Sequence, residues 1–284
     1  MTGKSKSILY LHLSVLLMGF AGVIIKYVSV SSAVITFGRV FFSSIVLFCV
    51  LKAKKERLKL NCRLDIYIAV FAGIIMALHW FSFMHSIRLS TVAIGTITYS
   101  TYPVFVAFIE PLIFKEKFKP SNILLAAVML FGLFITIPSA SFENSMTLGI
   151  LWGMISSASY AALSLLNRYL SEKYTSQKVC FYEQSIACIA MLPVIFISKP
   201  VFKPTDVFLI IVLGVLCTAV AQALFVESLK NVKATTAGIV SGMESVYGIL
   251  LALLILREVP GIREIAGGII ILSAALASSL KSRQ

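Results

Sequence analysis

The residues best able to do chemistry in this chain are few, and each sits in apolar surroundings. Glu244 falls about ten residues from either end of an apolar run, 235–256, with Ser241, Ser245 and Gly248 on its helical face. A charged side chain at the centre of a membrane helix costs about 2.5–3.5 kcal/mol on insertion scales, so one kept there is a candidate for function. A carboxylate at that depth suits a cationic or amino group, or takes up and carries a proton. Arg39 lies about six residues into another run, 34–51. Its guanidinium suits a substrate carboxylate, a buried acid, or a snorkelled position at the interface. Tyr99 and Tyr102, with Thr98 and Thr101, make the centre of run 91–114 polar, and Pro103 removes a backbone hydrogen bond there, which predicts a kinked helix lining a cavity. His79 and Trp80, on the outer half of run 66–84, read as a ligand and a cavity wall, or as interfacial anchors. Gln222, in run 207–226, either lines the same cavity or bonds a neighbouring helix. Glu110 and Glu183 lie near ends of their runs, where ion pairing or snorkelling is expected. No GxxxxGK, GxSxG, HExxH or CxxC occurs, so the chain is expected to be no enzyme, with no ATP motor, no metal and no cofactor.

The elements that position these residues follow from composition. Of 284 residues, 59% are hydrophobic and 13% charged, with a mean hydropathy of +0.96. That charge is about half the roughly 25% of soluble domains, too little to cover a water-facing surface. The net charge of +13 is spread through short loops, without a basic or Gly/Arg-rich segment, so nucleic acid is not an expected partner. Five cysteines, four of them in apolar runs, read as small buried hydrophobes.

A bilayer core of about 30 Å needs about 20 apolar residues as a helix. Ten runs meet this pattern: 8–28, 34–51, 66–84, 91–114, 121–137, 149–168, 179–197, 207–226, 235–256 and 263–280. The expected fold is an all-α integral membrane protein with ten transmembrane helices. The first run is too long for the apolar region of a signal peptide and reads as an uncleaved helix. With the N-terminus inside, eighteen Lys and Arg fall on the inner side and five on the outer, or seven counting Lys26 and Arg39. The positive side faces the cytoplasm, so both termini are expected there, in a multi-pass protein of the cytoplasmic membrane.

An offset of 142 residues, half the chain, aligns Phe83-x-x-Ser86-x-Arg88 with Phe225-x-x-Ser228-x-Lys230, and Leu112-Ile113-x-Lys115-Glu116 with Leu254-Ile255-x-Arg257-Glu258. It also pairs Lys26 with Arg168, Trp80 with Gln222, and Tyr102 with Glu244. Each half, 1–142 and 143–284, holds five runs, an odd number, so the second half enters the membrane from the opposite side. Inverted repeats of this kind are a signature of secondary transporters, with substrate held near the midplane between the repeats. Glu116 and Glu258, beside basic residues at the repeat ends, read as structural or gating groups. Gly149-x-x-x-Gly153 and Gly238-x-x-x-Gly242 read as faces for close helix packing.

At these residues the chain is similar to the EamA-type branch of the drug/metabolite transporter superfamily. The similarity includes His79-Trp80-Phe81-Ser82-Phe83, the stretch from Ser90 to Gly95, Tyr102-Pro103, and the Lys/Arg-Glu pair ending each half. The resemblance implies alternating access and movement of a small-molecule substrate, commonly export of amino acids or related metabolites. A proton carried by Glu244 is the candidate coupling ion, and the oligomeric expectation is a monomer or homodimer. A channel, a membrane-embedded enzyme and a non-transporting sensor are the other classes open to such a chain.

Overall fold

A backbone in lipid has no water to bond, so apolar runs of this length satisfy their own N–H and C=O groups as helices. The computed structural model, which describes residues 3–114, 120–137, 143–228 and 234–281, follows that rule throughout. Its helices are α1 (Gly3–Tyr27), α2 (Ser32–Ala53), α3 (Arg63–Leu89), α4 (Val92–Tyr99), α5 (Tyr102–Phe114), α6 (Pro120–Thr136), α7 (Ser145–Ser171), α8 (Ser176–Ser198), α9 (Pro204–Gly214), α10 (Ala221–Ser228), α11 (Ala234–Leu251) and α12 (Ile262–Lys281). Wider π-helical turns join α9 to α10 over Val215–Val220 and close α11 over Ala252–Leu256.

Seven of the described helical segments are long and apolar enough to cross a membrane; Ile123–Thr136 and Val240–Leu256 are shorter apolar helices. The chain is therefore a multi-pass membrane protein. Helix starts are set by capping side chains: Ser31, Thr91, Asn144 and Thr175 accept from backbone N–H groups of the first turn that the helix itself leaves unpaired.

Boundaries moved in two consequential places. Helix α3 extends to Arg63 and Leu89, beyond the expected 66–84, and α8 begins at Ser176 instead of 179. Both extensions carry polar residues deeper into the bundle than a count from the shorter runs implies. The fourth run is not one kinked helix. It breaks at Ser100 and Thr101, and Tyr102 opens α5. Pro103 lies in the first turn of α5, where its missing N–H would be unpaired in any case. Thr101 Oγ1 donates to the Thr98 carbonyl (2.7 Å) and Ser100 Oγ to that of Thr96 (2.9 Å), which occupies carbonyls near the break.

The two halves pack through one another. Helix α1 lies against α10 and α11, α2 against α8 and α9, and α3 against α7 and α8. Gly149 and Gly153 make the last contact close, since a Cβ on either would stand 2.5 Å from Ser90 Cβ or 2.7 Å from Thr98 Cβ. Large apolar side chains such as Phe71, Phe131, Phe196 and Phe208 point outward, as a lipid solvent permits. Cys49 does too, contrary to its expected burial, whereas Cys180 and Cys217 are buried; all five cysteines are free.

Candidate functional site

Where the halves meet, a cavity of about 150 Å³ opens in the bundle. Four elements of each half line it: α1 to α4 from the first, and α7, α8, the 215–220 turn with α10, and α11 from the second. Six of the nine residues singled out for substrate or coupling lie on its wall: Arg39, His79, Trp80, Tyr99, Gln222 and Glu244. Trp80 and Gln222, paired by the 142-residue offset, both face it.

Arg39 is 1% exposed, so it does not snorkel. Its guanidinium lies flat on the Trp80 ring, 3.5 Å from the centroid. Nε donates to Thr218 Oγ1 at 2.7 Å, and Nη2 to the Cys217 carbonyl at 3.4 Å. The π-helical turn makes these acceptors available, because its wider i→i+5 spacing departs from the regular ladder. Thr218 Oγ1 itself donates to the Leu213 carbonyl five residues back, at 2.8 Å. Nη1 has no protein partner. The side chain is thus held on three sides with one donor edge unused.

Glu244 reaches the same cavity from α11 and makes no ion pair with Arg39 within 4.0 Å. Its helix is drawn against α1 by Gly19: a Cβ there would stand 2.8 Å from the Glu244 carbonyl oxygen and 2.9 Å from Gly248 N. His79 is buried, with Nδ1 at 3.1 Å from the Ser156 carbonyl and 3.0 Å from Ser156 Oγ. Nδ1 donates to the carbonyl in one tautomer and accepts from the hydroxyl in the other, so Ser156 holds the ring in place in either. Around it stand Trp80, Phe83, Tyr99 and Tyr160, with ring centroids between 5.0 and 6.3 Å from the imidazole. Neither His79 nor Trp80 is an interfacial anchor.

Three expected residues stand elsewhere. Tyr102 backs the wall, stacking on Tyr99 (5.8 Å) and edge-on to Tyr160 (5.0 Å), because the helix break turns it away from the cavity. Ser245 bonds Ser100 Oγ at 2.9 Å and the Thr96 carbonyl at 3.3 Å, tying α11 to α4. Ser241 is outside the lining and has partners of its own. Glu116 lies outside the described residues. Glu258 pairs with Lys26 at 3.0 Å and accepts from Val92 N at 2.9 Å, so it joins the ends of α1 and α11 to the start of α4. Arg88 donates to the Val30 carbonyl beside it.

The reading of Glu183 as paired or snorkelling is overturned: it is buried and lines the cavity with Asn167 and Gln184. Tyr160 and Thr218 complete the polar wall that sequence reasoning missed. Glu183 and Gln184 are adjacent polar residues inside an apolar run, a signal muted because α8 starts three residues earlier than expected. Glu110 does pair, with Arg168 at 2.5 Å on an exposed face.

The buried polar atoms left without a partner concentrate here. They include Arg39 Nη1, Trp80 Nε1, Asn167 Oδ1, both oxygens of Glu183, Gln184 Oε1 and Gln222 Oε1. A buried unpaired polar group costs about 1–3 kcal/mol, so the cavity presents a cluster of polar groups whose bonds the protein itself does not supply. Among the described residues, no group of three or more His, Cys, Asp or Glu is arranged to hold a metal ion. A second cavity, about 230 Å³, shares Gln222 and runs to Lys54 and Ser176, at the opposite end of α2 from its start near Glu258's clasp.

Comparison with known proteins agrees with this architecture. A chain of Archaeoglobus fulgidus described as an uncharacterized transporter is 27% identical over 93% of this chain and 93% of its own length. An uncharacterized transporter of Bacillus subtilis is 20% identical over 99% and 91%. A protein of Rickettsia conorii named S-adenosylmethionine uptake transporter is 25% identical over 89% and 85%. A solved crystal structure superposes with a TM-score of 0.66 at 15% identity, covering 99% of this chain and all of that one, which is a likeness of fold. The model of the EamA-like transporter family, in the drug/metabolite transporter superfamily, matches twice, over residues 5–137 and 147–280. Spanning helices, a polar cavity between the halves and matches over both halves lead to one conclusion: this chain belongs to the EamA-like transporter family.

Proposed function

We propose that this chain is a secondary active transporter that carries amino acids or related small metabolites across the cytoplasmic membrane by alternating access. In this reading ten helices form two inverted five-helix repeats, 1–142 and 143–284, with both termini in the cytoplasm. The observation that carries it is the pair Arg39 and Glu244. Opposite charges face one cavity, one from each half, without bridging each other. A zwitterionic head group fits between them, its carboxylate on the free Nη1 edge of Arg39 and its ammonium on Glu244. His79 Nε2, Trp80 and Tyr99 bound the rest. An amino acid head is also part of S-adenosylmethionine, the compound in the Rickettsia relative's name.

Interactions between groups from opposite halves are what a rocking motion would make and break. The Lys26–Glu258 tie closes one end of the bundle, and the second cavity leaves space toward the other. Glu258 then acts as a gate residue. When no substrate cation neutralises Glu244, that carboxylate is the proposed carrier of a coupling proton. Export is the expected direction, although a carrier that opens to both faces runs along whichever gradient is imposed.

Counterflow in proteoliposomes tests the reading. Pooled amino acids loaded inside should accelerate uptake of label from the same pool, and Glu244→Gln should abolish it while leaving a monodisperse, folded protein. Exchange that ignores both pH and Glu244→Gln rules out Glu244 as site or proton carrier. Flux without counterflow indicates a channel.

A further inference from the structure

A zwitterionic head leaves part of the cavity unexplained. Glu183, on α8, is 1% exposed, lines the cavity and accepts no hydrogen bond on either carboxylate oxygen. Asn167, on α7, is near enough to act on that carboxylate but outside hydrogen-bonding geometry, and its Oδ1 is unpartnered. So is Oε1 of Gln184, the next residue along α8 and equally buried. A buried carboxylate without a partner is strongly unfavourable unless it takes up a proton or meets a cation.

Charge and donor balance favour the cation. Among the described residues the cavity is lined by one guanidinium, Arg39, one imidazole, His79, and two carboxyl groups, Glu244 and Glu183. A zwitterion on Arg39 and Glu244 leaves the second acid uncompensated. The buried atoms without a partner around Glu183 are acceptors, its own oxygens, Asn167 Oδ1 and Gln184 Oε1, while each amide also carries an NH2 donor group. An ammonium brings three N–H donors and a guanidinium five, and neither accepts. Position agrees. At about 1.5 Å per residue, Glu183 lies roughly 10 Å along α8 and Glu244 roughly 15 Å along α11, and Tyr160 is close enough to feel both carboxylates.

We propose that Glu183, Asn167 and Gln184 form a second cation subsite, and that the substrate carries an ammonium or guanidinium on its side chain besides its zwitterionic head. This rests on the assignment of Arg39 and Glu244 to the head group.

The full-length protein in proteoliposomes tests it, with lysine, ornithine and arginine compared against leucine and phenylalanine in counterflow. The wild type should exchange the cationic set at least about tenfold better, and the same compounds should raise its thermal unfolding midpoint in detergent where the neutral ones do not. Glu183→Gln should cut the preference for the cationic over the neutral set by about tenfold, whereas Glu244→Gln should lose both sets. A wild type that exchanges neutral amino acids as well as cationic ones overturns the subsite and leaves the head-group site standing. Neutral exchange whose pH dependence vanishes in Glu183→Gln overturns it too, making Glu183 a proton site. Exchange of neither set overturns the head-group reading and the subsite with it. The wild-type preference and midpoint shift decide the matter even if Glu183→Gln folds poorly.

Discussion

Three acids in this protein are equally buried and treated in opposite ways. Asp65, Asp206 and Glu183 are each 1% exposed. Asp65, at the start of α3, accepts from Lys173 Nζ at 2.9 Å and from the Tyr174 hydroxyl at 2.5 Å. Asp206, at the start of α9, accepts from Ser29 N (2.8 Å), Ser29 Oγ (2.6 Å) and Lys203 N (3.0 Å). Glu183, in the central cavity, accepts nothing. At the bundle ends the acids are consumed by structure, holding loops to helix starts. In the middle Glu183 lines a cavity with neither oxygen bonded to the protein, which leaves both free for water, a proton or a ligand. Burial alone therefore does not separate these acids; whether the protein satisfies them does.

The largest effects should come from the cavity. Arg39→Lys keeps the charge but loses the planar fork and its stacking on Trp80. Binding should weaken by about 2–5 kcal/mol, on the order of 30-fold to 5,000-fold in counterflow affinity, with the unfolding midpoint little changed. A variant that unfolds instead would move Arg39 to the structural side of the comparison.

Next comes Asp206→Ala, which strands the Ser29 and Lys203 N–H groups. It should destabilise by about 2–3 kcal/mol in thermal unfolding, with exchange per folded molecule unchanged. Glu183→Gln should be neutral or stabilising in the same assay. Equal destabilisation by both substitutions would erase the distinction drawn here.

Gly19→Ala tests the scaffold between the two regions. Its Cβ meets backbone atoms of α11 at 2.8 and 2.9 Å, so α1 and α11 must part where Glu244 sits. A loss of about 1–3 kcal/mol of stability is expected, together with weaker exchange. The smallest effect belongs to Arg168→Ala: its partner Glu110 is also half-exposed, and less than about 1 kcal/mol should be lost.

Much of this molecule was legible in the residues. Long apolar runs dictate spanning helices because lipid offers the backbone no other partner, and the depth of Glu244 in its run marked it before any packing was known. Arg39, Trp80, His79, Tyr99 and Gln222 were singled out the same way, as polar or aromatic residues deep in their runs, and the structure places them on the wall of one cavity. Tyr102 and Ser245 were not separable from them, because a run of hydroxyls looks alike whether it faces a cavity or a neighbouring helix. The break at Ser100–Thr101 turns one residue out and the next in, and hydroxyls that cap carbonyls locally decide where such a break falls.

By itself, then, the sequence determined which segments are helical, which side chains are costly in lipid, and that the chain has two related halves. Only tertiary structure decided which of those costly groups remain unpaid. Asp65 and Glu183 have similar sequence surroundings near helix ends, yet one meets Lys173 and Tyr174 and the other lines the cavity without a hydrogen bond on either oxygen. Hydrogen bonds act over about 3 Å, and partners more than a hundred residues apart reach that range only when the halves have packed.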